Sequence, residues 1–247
     1  MNPPSPEAAP AEPRQRWRLT YRRRAEAPEL QQREQAAAWE AAFVTSGLPL
    51  VGLDLPVSRP RLVFAAPLGV GLVAEGELVD FLLTERLTAF EVRSRLVPCL
   101  PQGHKLVDLH DLWLGEPALS GQVTGAFYRL NVTAPEDSSG GGPLDRAAVA
   151  AAARQLLAAS SLPRTREKGG RSISYDLRPL LADIEVLPER PNVRGGSGVE
   201  IRVSVRFDPE RGVGRLEEVL TALSEVIDTT LVGAAVTRER LILAGEN

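Results

Sequence analysis

The 247-residue sequence predicts an α+β chain built from two tandem ferredoxin-like halves, the second carrying an inserted hairpin. Three observations predict it. Two segments, 16–23 and 199–207, alternate apolar and polar residues with the period of two that a strand requires. Amphipathic helical stripes separate such segments. The order β-α-β-β-α-β can be read along the chain once and then again.

In the first half, Trp17, Leu19 and Tyr21 alternate with Arg16, Arg18, Thr20 and Arg22, giving a strand with one apolar and one basic face. A helix is expected from about Pro28 to Ser46, where Ala36, Trp39 and Phe43 share a face and Gly47 and Pro49 mark the stop. Strands at Arg61–Ala66 and Leu78–Leu83 flank a Gly- and Pro-containing stretch, 67–76. Thr88 and Glu91 have capping-box spacing and open a second helix that turns Val92 and Leu96 inward. A fourth strand covers roughly Lys105–Leu114.

The second half opens with a strand over Gln122–Val132 and a Gly/Ser/Pro-rich loop, 133–143. An Ala-rich helix follows over Asp145–Ser160. Thr165–Tyr175 reads as a hairpin about Gly169-Gly170, a pair suited to positive φ. A short strand at Ile184–Leu187, a second loop at 188–198, the strand Val199–Phe207, a helix with the stripe Leu216, Val219, Leu220, Leu223 and Ile227, and a last strand at Leu231–Leu243 complete the order. The expected division is a disordered tail at 1–13, one half at 14–118 and the other at 119–247.

Composition places the chain among ordinary globular proteins, with 43% hydrophobic and 25% charged residues. The net charge of −3 gives no overall basic field to draw it to nucleic acid or an anionic membrane, so such binding would need a local patch. One cysteine, Cys99, rules out an internal disulfide. The first thirteen residues lack the apolar core of a secretory signal, and the longest apolar stretch, Leu62–Ala74, is broken by Pro67 and two glycines. The expectation is a cytoplasmic protein with no membrane association.

Several chemistries lack their residues. One Cys and two His cannot build a classical zinc or iron–sulfur site, and His104 and His110 on one strand would lie roughly 20 Å apart. Gly195-Gly196-Ser197-Gly198 has Val199 where a nucleophile elbow needs glycine. Gly69-Val70-Gly71 falls between strands and opens no helix, so it reads as a turn. The carboxylate pairs Glu75/Glu77 and Asp108/Asp111 fit solvated faces. No metal, no cofactor and no catalytic residue is expected.

What remains is a basic cluster around the hairpin: Arg164, Arg166, Lys168, Arg171 and Arg178, accompanied by Glu167 and Asp176. Residues 164, 166 and 168 point the same way on a strand, and Arg16, Arg18 and Arg22 offer a second basic face. Such faces can hold a phosphate backbone. Two readings stand side by side: an anion-binding surface, or a solvated face partly neutralised by Glu167 and Asp176. Pro179 fits the first position of a short helical turn that Asp176 or Arg178 could brace.

Three stretches resemble the radical-SAM-linked proteins, a domain of unknown function encoded beside, or fused to, cobalamin-type radical SAM enzymes. They are Ala41–Leu50 (AAFVTSGLPL), Arg61–Leu83 (RLVFAAPLGVGLVAEGELVDFLL) and Arg164–Leu181 (RTREKGGRSISYDLRPLL), in the family's order. Two places depart from it. Glu26–Arg33 (EAPELQQR) has neither Ser nor His where the family has a Ser-His-x-Asp segment, and Asp54–Pro60 (DLPVSRP) keeps only the final proline of a family loop. The resemblance implies an accessory protein whose partner, a radical SAM enzyme, carries the iron–sulfur cluster. Arg166, Glu167, Asp176, Arg178 and Pro179 keep the family pattern, which places the candidate site on the hairpin. Three functions follow as expectations: presentation of an RNA or other anionic substrate to the enzyme, a purely structural docking role, or metal-independent RNA processing.

Overall fold

The structure is a computed structural model describing residues 12–53, 58–135, 144–188 and 198–246, with the side chains of Lys168 and Arg171 outside the description. The expected tail at 1–13, the loops 133–143 and 188–198, the Gly195–Gly198 stretch and the divergent segment 54–60 lie wholly or largely outside those residues. The chain is mixed α+β and divides into two compact units, one of residues 1–72 and 76–122, the other of residues 73–75 and 123–247.

In the first unit the elements run β1 (Gln15–Arg23), α1 (Gln32–Thr45), β2 (Leu62–Phe64), β3 (Val73–Leu83), α2 (Ala89–Leu96), β4 (His104–Leu112) and a short α3 (Leu119–Gln122). Its strands lie in the order β2-β3-β1-β4. The apolar face of β1, with Trp17, Leu19 and Tyr21, packs into a core with Trp39, Phe43 and Phe81. Tyr21 and Trp39 pack as tilted rings with centroids 4.5 Å apart, and Phe43 and Phe81 likewise at 4.8 Å. Thr88 caps α2 as its spacing predicts: Thr88 Oγ1 accepts from the Glu91 N–H at 3.3 Å, and Glu91 Oε2 accepts from the Thr88 N–H at 2.8 Å.

Three expectations for this unit change. The first helix begins at Gln32 because the carbonyl of Pro28 is already engaged, accepting from Leu30 N at 3.0 Å and from Arg23 Nη2 at 2.8 Å. The strand expected from Leu78 begins at Val73, where Val73 and Ala74 pair in parallel with Thr237 and Arg238 within the second unit. The basic face of the first strand is not an open surface. Arg16 and Arg18 are buried and share the carboxylate of Asp80 on β3, while Arg16 also donates to the carbonyls of Glu116 and Pro117. Only Arg22 of that set is exposed.

The second unit runs β5 (Val123–Thr133), α4 (Arg146–Ala158), β6 (Pro163–Lys168), β7 (Arg171–Asp176), β8 (Leu181–Val186), β9 (Val199–Asp208), β10 (Gly212–Val213), α5 (Leu216–Ile227) and β11 (Val232–Leu243). β5 lies between β9 and β11, antiparallel to both, and β8 and β10 each pair antiparallel with β9. Val199, Ile201, Val203 and Val205 of β9 are buried, as the period-two pattern requires. Val219, Ala222 and Leu223 carry α5 onto the core, and Val149, Ala153 and Leu156 do so for α4. β6 and β7 form a separate two-stranded hairpin. Gly169 (φ +58°) and Gly170 (φ +74°) make its two-residue turn, and both sit where side chains with a Cβ are strained.

Candidate functional site

The hairpin brings the sequence-selected residues of the second unit together, but spends most of them internally. Arg164 lies directly opposite Tyr175 across the two strands. Its Nη2 donates to Glu225 Oε2 on α5 at 2.9 Å, and its Nη1 to the carbonyl of Pro163 at 3.0 Å. The Arg166 guanidinium sits over the Tyr175 ring, 5.1 Å from its centroid. Glu218, in the first turn of α5, feels both arginines, yet burial outweighs them and pushes its carboxyl upward. Arg164 and Arg166 thus act first as counter-charges for α5. Glu167 is exposed, and Lys168 and Arg171 pair through their backbones at the turn.

Asp176 and Arg178 brace the base of the hairpin. Asp176 Oδ1 accepts from Leu162 N at 2.7 Å and Arg178 N at 2.9 Å, and these backbone bonds, that from Leu162 foremost, hold its carboxyl below the usual range. Arg178 donates from Nη2 to Leu157 O, near the end of α4, at 2.7 Å, and from Nη1 to Leu181 O at 2.9 Å. Its Nη2 satisfies a carbonyl of the last turn of α4, while the Leu181 carbonyl also accepts from Arg206 Nη1 at 3.3 Å. The short helical turn expected at Pro179 is present at Arg178–Leu180.

The first unit holds a surface that sequence reasoning passed over. Phe90 is 79% exposed on α2, beside an open groove of about 660 Å³ that it lines with Arg93, Val97, Leu100, Lys105 and Leu106. Val97 is exposed and Leu100 and Leu106 half-buried, so the floor is apolar while Arg93 and Lys105 supply positive charge. Further along, beyond β4, Trp113 is 76% exposed. The signal was available: Phe90 stands two residues before Val92, and positions two apart in a helix face different ways. A phenylalanine off the core stripe must face solvent or a partner.

Among the described residues no group of three or more His, Cys, Asp or Glu is placed to hold a metal ion, and no helix is long and apolar enough to cross a membrane. His110 on β4 pairs with Asp108, Nε2 to Oδ2, at 2.8 Å.

These features define an α+β protein with an apolar, basic-rimmed groove on one unit and an internally paired basic hairpin on the other. Residues 16–222 match the family described as "Uncharacterized protein conserved in bacteria (DUF2344)", and the chain belongs to that family. No curated protein matches it. Among solved structures, it is similar to a chain of a Cbf5-Nop10-Gar1 complex (TM-score 0.49, 11% identity, 90% of this chain and 48% of that one). It is also similar to a chain of the archaeal box H/ACA sRNP Nop10-Cbf5 complex (TM-score 0.43, 10% identity, 89% of this chain and 46% of that one). The chain spans about half the length of each.

Proposed function

We propose that this protein is a cytoplasmic accessory to a radical SAM enzyme, docking on it through the α2–β4 groove of the first unit and performing no chemistry itself. The observation that carries the docking role is Phe90, 79% exposed at the groove beside Val97, Leu100 and Leu106, with Arg93 and Lys105 on its walls. A large aromatic left in water beside an apolar floor is the anatomy of an interface anchor. The two cations fit a partner segment with apolar side chains flanked by carboxylates. The choice of partner is supported by the three stretches that resemble the radical-SAM-linked proteins. A single cysteine in this chain leaves cluster ligation to the enzyme.

The finer fold reading belongs to the same proposal. The strand orders β2-β3-β1-β4 and β8-β9-β5-β11 support two ferredoxin-like halves, with β6–β7 inserted between α4 and β8 of the second. Presentation of RNA by the hairpin draws less support, because Arg164 pairs with Glu225 on α5, Arg166 lies over the Tyr175 ring, and Arg178 donates to backbone carbonyls.

Tagged protein recovered from its native cells tests the reading. The expected eluate contains a radical SAM enzyme, recognised by iron–sulfur absorbance and mass spectrometry, and Phe90→Asp loses it. An eluate without such an enzyme, or equal recovery by the variant, overturns the proposal. Co-eluting nucleic acid that disappears on changing Arg164 and Arg166 to Glu would move the assignment to RNA presentation.

A further inference from the structure

β4 stands last in the strand order β2-β3-β1-β4, so β1 occupies only one of its two edges. Among the described residues no strand pairs with the other. β4 is nine residues long, against about five or six for a typical strand, and a free edge of that length presents a row of N–H and C=O groups without strand partners. Two of its amides turn to local acceptors. His104 N–H donates to the carbonyl of Pro101 at 3.0 Å, and Leu109 N–H to Asp108 Oδ1 at 2.8 Å.

The edge is selective. Tyr21 of β1 pairs with Leu106 and Thr20 with Asp108, which leaves Val107 as an extra, exposed residue. Such a bulge twists the strand and disfavours pairing with any flat neighbour, so a strand that joins here needs anchorage from side chains as well. The α2–β4 groove lies where that anchorage is needed. Lys105 and Leu106 line it from β4, and Phe90, Arg93 and Val97 from α2 and the turn after it. Its described lining holds two cations and no carboxylate apart from the chain's own termini of neighbouring loops, so its charge complements an acidic segment. Trp113 follows the far end of β4, and with Phe90 it is the most exposed aromatic side chain among the described residues.

We infer, resting on the docking role proposed above, that β4 takes up an extended segment of the partner protein as a further strand of the first unit's sheet. Alternate apolar side chains of that segment enter the α2–β4 groove beside Phe90, and a carboxylate faces Arg93 and Lys105. A helix laid in the groove satisfies its own backbone and leaves the β4 edge in water, whereas a strand satisfies both chains at once. Main-chain hydrogen bonds then supply affinity, and the groove supplies selectivity.

Display selection of random twelve-residue peptides on the full chain tests this, followed by fluorescence anisotropy of the strongest binder. The expected peptide alternates apolar with polar residues, carries Asp or Glu, and slows hydrogen exchange of the β4 amides. Successive N–H groups of a strand point to opposite edges, so N-methylation of one alternate set of peptide amides should weaken binding at least about tenfold. N-methylation of the intervening set should leave it within about twofold. Lys105→Glu should weaken the acidic peptide as well. No selected binder, unchanged exchange in β4, or equal binding by both methylated forms and the parent overturns strand addition. If Phe90→Asp abolishes binding while both methylated forms bind as the parent does, the docking groove stands and the strand falls. A dimer of the peptide-free chain whose β4 amides are already protected gives the edge to a second copy and overturns the inference.

Discussion

Arg18 clamps Asp80 with two buried hydrogen bonds, Nε to Oδ1 at 2.8 Å and Nη2 to Oδ2 at 3.1 Å. The same carboxylate accepts from Arg16, Nη2 to Oδ2, at 2.6 Å, so one anion serves two cations inside the first unit. The surplus positive charge is spread onto the Glu116 and Pro117 carbonyls through Arg16. Removing the anion strands both arginines. Asp80→Asn is therefore expected to cost about 3–5 kcal/mol, the range for breaking a buried ion pair from one side. Denaturant unfolding of the first unit checks it, and a loss below about 1 kcal/mol would mean that water reaches the site.

Arg178→Met keeps the aliphatic stem but deletes the donors to Leu157 O and Leu181 O. Hydrogen bonds from a charged group contribute about 1.5–3 kcal/mol each. A destabilisation of about 3–6 kcal/mol in the second unit is expected, with recovery of the proposed partner enzyme unchanged per folded molecule. Loss of the partner at unchanged stability would make Arg178 a binding residue instead of a brace.

His104 gives the first unit a pH dependence with a definite sign. Its folded pKa lies below the ordinary 6.5, chiefly because burial penalises the charged ring. Between the folded value and 6.5 the unfolded chain binds more protons than the native one, so stability falls as pH falls through that window. Unfolding midpoints measured from about pH 7.5 down to 5 should decline for the natural chain and flatten for His104→Phe. Parallel curves for the two proteins would show that His104 is not the group responsible.

Phe90→Asp should leave stability within about 0.5 kcal/mol, because the ring contributes little to the core. The same change should abolish partner recovery. A large fall in unfolding midpoint would show instead that Phe90 supports α2.

Local pattern carries much of the secondary structure on its own. Alternation marked β1 and β9, Thr88 with Glu91 marked the start of α2, and Gly169-Gly170 marked the hairpin turn, because each depends on residues within a few positions. What stayed hidden depends on distant partners. The alternation of Arg16 and Arg18 with apolar residues is the same whether their face meets water or Asp80, which lies more than 60 positions away. The start of β3 at Val73 needs Thr237 beside it. Arg164 and Arg166 read as an open basic face until α5 brings Glu225 and Glu218 against it. Phe90 was legible in principle, since its helical position excludes it from the core.

The parallel pairing of Val73 and Ala74 with Thr237 and Arg238 also bears on how the molecule is made. These partners are separated by more than 160 residues, so the contact belongs to the slow, high-separation class that pays chain-closure entropy before it is rewarded. All strands of the first unit come from the first 122 residues, the opening of β3 at 73–75 being counted with the second unit, whereas β5 waits for β11. During synthesis, residues 1–122 can reach their core while the second unit still presents an unpaired β5 edge. That interval, more than any step in the finished protein, is when the chain is exposed to aggregation or to the help of a chaperone.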